Sequence, residues 1–176
     1  MHFQFEANYQ RRASWRWAIR DTRDMASDIR ILVGTMTGTA ELCAEEMCDS
    51  LEAAGHTAEV ILMDDLEADV FDPEAAFIIC VSTYGHGDVP DNAKKLYESL
   101  QSQKPALSGL QYGVFALGDI THGETFCWGG ITFDKVLTEL QATRVGEIVK
   151  NDATSGELPE DQAGEWAAKW VKLLDG

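Results

Sequence analysis

The stretch from Ile31 to Glu41, ILVGTMTGTAE, constrains this chain more than any other. It begins as an apolar run, turns through two glycines and three threonines, and continues as LCAEEMCDSLEAAG. In that continuation Cys43, Met47, Leu51 and Ala54 fall on one helical stripe, so the reading is strand, turn, helix. The turn, Gly34 to Thr39, combines glycines that let the backbone approach a ligand, hydroxyls that donate hydrogen bonds, and free amides at a helix N-terminus. Such a loop can cradle a phosphate.

Three readings of the loop compete. A nucleoside-triphosphatase loop ends in Gly-Lys-Ser/Thr and a dinucleotide fingerprint reads GxGxxG; neither pattern is present. The loop has no Lys or Arg, so a phosphate held there is neutralised only by hydroxyls and helix-end amides. That suits a monophosphate that stays bound better than a triphosphate that needs a metal. The plainer alternative, an ordinary strand-to-helix turn with Thr37 as N-cap, stays open at this point.

Composition narrows the field. The 176 residues are 45% hydrophobic, with no apolar run near the ~18 residues of a membrane span, which predicts one soluble domain with a real core. A formal net charge of -16 argues against a broad nucleic-acid footprint and against anionic membranes, and leaves basic proteins as partners. Cys43, Cys48, Cys80 and Cys127 form no CxxC pair and no zinc or iron–sulfur spacing, so they read as small buried hydrophobes in a reducing cytosol. No metal ligand set and no catalytic side chain is expected.

Residues 1–28 stand apart. Up to Asp24 this segment has five arginines against three acids, net +2, so the remainder carries -18. It lacks the apolar centre of a secretory signal and fits a transit peptide poorly. The expectation is an N-terminal extension, loosely attached or preceding a true start at Met25, with the domain occupying 29–176.

After the first helix, Thr57 to Met63 reads as a second strand, followed by an acidic crossing from Asp64 to Asp72. Ala76 to Ser82 is a short apolar run suited to a strand buried on both faces. Pro90 opens a helix with Ala93, Leu96, Tyr97 and Leu100 on one face, ended at Lys104-Pro105. Tyr112 to Leu117 is the fourth strand, and Phe133, Val136, Leu137 and Leu140 mark its helix. A fifth strand, Arg144 to Val149, leads to a last helix lined by Ala163, Trp166, Ala167, Trp170 and Leu174. Strand and helix alternating five times predict an α/β fold, a parallel sheet with helices on both sides. Ligands of such sheets bind beyond the C-terminal strand ends where strand order reverses, so the loops after strands one, three and four are the ones to read.

The loop after strand three, STYGHGDVPDNA, sets an aromatic among hydroxyls and glycines, which can lay a ring against a flat ligand while main-chain groups reach its polar edge. GTMTGTAE and STYGHGDVPDNA together resemble the phosphate and ring-binding loops of flavodoxins and of the FMN domains of diflavin reductases. LGDITHGETFCWGG, from Leu117 to Gly130, is similar to the family's GDxxY segment followed by a Phe-Cys-Gly motif. The likeness runs from about Ile29 to the C-terminus and points most closely to the short-chain flavodoxins, including the MioC-like subgroup. It implies a flavodoxin-like three-layer α/β/α fold with a doubly wound five-stranded parallel sheet, order 2-1-3-4-5.

The resemblance also implies non-covalently bound FMN. Thr35, Met36, Thr37, Gly38, Thr39 and Ala40 then supply the phosphate site. Ser82, Thr83 and Tyr84 form the wall beside the isoalloxazine, with Gly85 or Gly87 nearest the ring nitrogen that gains a proton on reduction. Leu117, Gly118 and Asp119 approach the opposite polar edge. Where the family usually has a stacking tyrosine this chain has His122, with Phe126 and Trp128 as substitutes for the second ring face, and Cys127 between them, in the Phe-Cys-Gly motif, counts with the cofactor-binding residues. His86 is expected to be exposed.

The expected role is a cytoplasmic, monomeric electron carrier between a basic flavodoxin or ferredoxin reductase and an acceptor enzyme. A dianionic phosphate without a counter-cation, with Asp88 and Asp119 nearby, makes added negative charge on the flavin costly. Each ~1.4 kcal/mol of that cost lowers a one-electron potential by ~59 mV. Asp88, Asp91 and Glu124 extend a negative rim able to steer a basic partner. Two other classes remain open on sequence: an FMN-dependent quinone or small-molecule reductase, and a non-redox interaction module. A phospho-receiver domain is disfavoured because strand three ends in Ser82-Thr83 and not in an acceptor aspartate.

Overall fold

The computed structural model describes residues 26–84 and 87–176; the N-terminal extension up to Met25, and Gly85 and His86, lie outside the described residues. The strands are β1 (Asp28–Gly34), β2 (Thr57–Leu62), β3 (Ala76–Ser82), β4 (Gln111–Gly118), β5 (Thr143–Arg144) and β6 (Val149–Asp152). The α-helices are α1 (Thr39–Ala53), α2 (Asp91–Gln103), α3 (Trp128–Glu139) and α4 (Pro159–Leu174). All pairings in the sheet are parallel, in the order β2-β1-β3-β4-β5, with β6 also on β4. This is the doubly wound three-layer architecture that the sequence predicts, with order reversal between β1 and β3.

Alternation of side chains along each strand divides the core in two. Ile29, Ile31 and Val33 of β1 and Ile78 and Cys80 of β3 face the layer of α1 and α4, where Met47, Leu51, Ala167 and Trp170 meet them. Leu32 of β1 and Phe77, Ile79 and Val81 of β3 face the layer of α2 and α3, against Ala93, Leu96 and Phe133. The two central strands are therefore buried on both faces, which is why they read as unbroken apolar runs.

Two elements differ from the sequence reading. The crossing from β2 to β3 contains a single 3-10 turn, Ala68–Val70, instead of an α-helix. Pro73 and a left-handed Asp65 (φ 59°) leave too short a regular span there, and Ala68 and Phe71 cover the sheet on their own. The fifth strand is not continuous over 144–149. Arg144 sits opposite Tyr112 while Val149 sits opposite Phe115, so two extra residues loop out around Gly146, whose φ is 73°. Pairing resumes at Val149 and extends the strand to Asp152, further toward the ligand end of the sheet than expected.

Among the described residues no helix is long and apolar enough to cross a membrane, and no cluster of His, Cys, Asp or Glu is suited to hold a metal.

Candidate functional site

The C-terminal ends of β1, β3, β4 and β6 surround one cleft of about 220 Å3. The β1–α1 turn contributes Thr37 and Thr39 to it. The turn is closed by Gly38 at φ 87°, a left-handed conformation that glycine adopts without steric cost, and this residue, not Thr37, is the N-cap of α1. No side chain caps the helix. The amides of Thr39 and Ala40, its first two residues, have no carbonyl acceptor within the helix. Thr35 builds the loop from inside: its hydroxyl accepts from the Gly38 amide at 3.0 Å, and its own amide donates to Asn92 Oδ1 at 3.0 Å. Asn92 Nδ2 in turn donates to Asp64 at 3.2 Å, so α2 pins the loop. Met36 is exposed and its sulfur accepts weakly from the Asp91 amide at 3.4 Å.

The end of β3 adds Ser82 and Thr83. Ser82 Oγ donates to the Gly34 carbonyl at 3.3 Å, and Thr83 Oγ1 accepts from the Gly129 amide at 3.1 Å, which leaves the Thr83 hydroxyl proton free to face the cleft. Gly129 has to be a glycine here, because a Cβ would come within 2.7 Å of the Ser82 carbonyl oxygen. Beyond Thr83 the chain pairs with itself, the Tyr84 and Asp88 amides each donating to the other's carbonyl at 3.2 and 3.0 Å. Tyr84, expected in the wall beside the ring, is exposed and is not among the residues that line the cleft. Gly87 (φ 105°) is pressed against Thr125 and Trp128, whose atoms lie 3.1 and 3.3 Å from where a Cβ would sit.

The end of β4 contributes Leu117, Gly118 and Asp119, and the following 3-10 segment (Ile120–Thr125) contributes His122 and Thr125. The Asp119 carboxylate accepts from the Thr121 amide at 2.8 Å and from its hydroxyl at 2.5 Å. The hydroxyl bond first, and the amide bond next, hold Asp119 below the ordinary carboxylate range.

The sequence-derived candidates therefore separate into groups. Thr37, Thr39, Ser82, Thr83, Leu117, Gly118, Asp119 and His122 line the cleft together. Thr35, Gly38 and Gly87 shape its walls, and Ala40, wholly buried, offers only its backbone. Of the three candidates for the second ring face, His122 alone lines the cleft. Phe126 is half-buried against the α2–α3 core, and Trp128 is exposed beside Gly87. Cys127 does not face the cleft. Its side chain is wholly buried and its thiol donates to the carbonyls of Ala116 at 3.3 Å and Asn151 at 3.6 Å. Gly85 and His86 lie outside the described residues.

Four lining residues escaped the sequence reading: Thr125, Asn151, Ala153 and Pro159. Thr125 lies within the quoted third loop. The other three come from the end of β6 and the start of α4, which an interrupted fifth strand hides. Asn151 is buried, with its amide nitrogen donating to Gln162 Oε1 of α4 at 2.8 Å.

The donors fit an FMN phosphate. Two threonine hydroxyls and two uncapped helix-end amides border a cleft that, among the described residues, is lined by no lysine or arginine, and no described side chain occupies those amides. A doubly wound domain with this cradle at its switch point belongs to the class that binds a nucleotide monophosphate without metal.

Known proteins make the class particular. The flavodoxin family model matches residues 31–166. The MioC protein of Escherichia coli K12 is 39% identical over 154 residues, covering 84% of this chain and 99% of that protein. Flavodoxin YqcA of the same organism is 37% identical over 148 residues, with the same shares covered. A solved structure of a point mutant of flavodoxin from Pseudomonas aeruginosa superposes with a TM-score of 0.76 at 35% identity, over 85% of this chain and 99% of that one. The chain belongs to the flavodoxin family. It is an FMN-binding electron carrier.

Proposed function

We propose that this flavodoxin accepts and passes single electrons at low potential, docking transiently with a basic reductase and then with an acceptor enzyme. FMN, when bound, supplies the redox chemistry; the chain's residues bind it, orient it and set the charge around it. Thr37, Thr39 and the amides of Thr39 and Ala40 hold the phosphate. Ser82 and Thr83 form one wall, Gly118 and Asp119 meet the polar edge, and His122 covers the second ring face. No side chain in this scheme acts as acid, base or nucleophile.

The observation that carries the reading is the charge of the seat. Among the described residues the phosphate cradle has no cation, Asp119 sits at the edge held as a carboxylate, and the chain as a whole carries -16. Added electrons therefore enter an already negative field, which favours low potentials. The same field attracts a basic partner at rates that fall as salt is added.

The test is an absorbance spectrum of the purified protein followed by FMN titration and anaerobic stepwise reduction. The expected result is a yellow protein that takes up two electrons in two resolved steps, the second at low potential. Direct two-electron uptake, or rapid NADH-driven quinone reduction by the protein alone, would replace the carrier with a reductase. Failure to bind FMN would remove the reading altogether.

A further inference from the structure

Two loops that border the cleft come from distant parts of the sequence and are stitched together at two points. The Ala153 amide, just past β6, donates to the Gly118 carbonyl at 2.9 Å. The Ile120 amide donates to Asp152 Oδ1 at 3.1 Å. The residue between the two stitches is Asp119, which lines the cleft with Gly118 on one side, while Ala153 lines it from the other loop.

Asp152 is more than a local turn residue. Its Oδ1 also accepts from the Thr154 amide at 3.0 Å and its Oδ2 from the Thr154 hydroxyl at 2.8 Å, a turn motif that fixes the carboxylate's direction. With the side chain so fixed, the Ile120 amide completes a clasp between segments 32 residues apart. The Thr154 amide first, with the Ile120 amide and the Thr154 hydroxyl behind it, outweighs the opposing effect of partial burial and keeps this carboxylate ionised. Asp152 thus stands as a second fixed negative charge beside Asp119 at the polar edge of the cleft.

We infer that Asp152 is a positioning residue of the flavin seat: through the Ile120 amide it holds the Gly118–Asp119 edge in place, and its charge adds to that of Asp119 in lowering the potential of the bound flavin. The sequence reading stopped the fifth strand at Val149 and assigned Asp152 nothing. The inference rests on FMN occupying the cleft as proposed above.

Two variants of the full chain separate the clasp from the charge. Asp152→Asn keeps an Oδ1 that accepts from Ile120 and Thr154 but removes the charge. Asp152→Ala removes both. Apparent Kd for FMN and the lower of the two one-electron potentials are measured for each, beside the wild type. The expected result is that D152N binds FMN within about threefold of wild type, whereas D152A binds about tenfold more weakly, a loss of the order of one hydrogen bond to a charged group. In both variants the lower potential rises.

D152A binding FMN as tightly as wild type would overturn the clasp, and so would D152N binding as weakly as D152A. Unchanged potentials in both variants would overturn the charge, because a loss of structure that weakens oxidised and reduced flavin equally leaves the potential where it was. A wild-type protein that binds no FMN would instead defeat the underlying reading, and would be seen before either variant is compared.

Discussion

The amide of Thr35 donates to the side-chain oxygen of Asn92 at 3.0 Å, joining the first ligand loop to the first turn of α2. Asn92 also donates to the Val33 carbonyl at 3.4 Å and to Asp64 at 3.2 Å, so one half-buried amide side chain serves three segments. Its removal leaves a loop amide without an acceptor. Asn92→Ala is expected to cost about 1–2 kcal/mol of stability in urea unfolding and to weaken FMN, since the phosphate loop loses its outer support. Asn92→Asp should do no better, because it sets a second carboxylate against Asp64. Wild-type stability and affinity in both variants would show that the loop is held by Thr35 alone.

The thiols should be inert in the native protein. Burial first, and Glu160 next, push Cys43 up to about 12. Burial does the same for Cys127, opposed by Lys150 and helped by Asp152, and takes it to about 12. Cys80, wholly buried, is raised well above its ordinary value for the same reason. Cys48 is half-buried and is also raised, by burial first and then by Glu52 and Asp49. Because the thiolate is the reactive form, an aromatic disulfide reagent at about pH 8 should modify at most Cys48, and slowly, while denaturant exposes all four. Rapid modification that Cys43→Ser or Cys127→Ser abolishes would contradict this.

Acid should loosen the edge of the cleft. Asp119 and Asp152 both have lowered native values, from hydrogen bonds to Thr121 and to Thr154 and Ile120 respectively. A carboxylate whose folded-state pKa is depressed contributes stability above its unfolded value and loses it as pH falls through the folded one. The contribution is therefore complete at pH 7, still present at pH 5, and starts to fall only as the pH drops below about 4, the ordinary value of an unfolded aspartate. The difference in Tm between wild type and D119N/D152N should be constant from pH 7 to 5 and close as the pH drops to 3. A difference that did not narrow at all between pH 5 and 3 would mean the two carboxylates act by shape and not by charge.

Strand ends and loops one, three and four were legible in the sequence because each obeys a local rule. The doubly buried strands β1 and β3 are continuous apolar runs, and the GTMTGT turn has glycines where the backbone must approach closely. Thr37 and Thr39 could be read as phosphate donors from that turn, whereas the roles expected of Ser82, Thr83, Gly118 and Asp119 came from the likeness of their loops to those of flavodoxins; all six line the cleft. What stayed hidden depends on register. Asn151, Ala153 and Pro159 reach the cleft because the fifth strand loses two residues to a loop at Gly146 and resumes, and no periodicity records a detour of that kind. Cys127 was misplaced for a related reason: it sits in the right loop, but a left-handed φ of 58° at the start of α3 turns its thiol inward toward Ala116 and Asn151. Asn92 was within a quoted motif, yet its role as a strut between loops is visible only in three dimensions.

For the second ring face the geometry yields a ranking of the three candidate residues. His122 lines the cleft, Trp128 is exposed but lies against Gly87, and Phe126 is directed into the core. An imidazole offers less stacking surface than a phenol ring, so His122→Tyr should tighten FMN binding severalfold, and His122→Ala should weaken it by about tenfold, near the ~1 kcal/mol scale of an aromatic stacking contact. Trp128→Ala should have a smaller effect on FMN, felt through the packing of the Gly87 loop. Phe126→Ala should mainly lower Tm, because it empties part of the α2–α3 core. Titration of FMN into the four variants decides among these residues. If Trp128→Ala were the variant that lost binding while His122→Ala retained it, the indole would have to swing over the flavin on binding, and the cleft would be open in the free protein and closed in the complex.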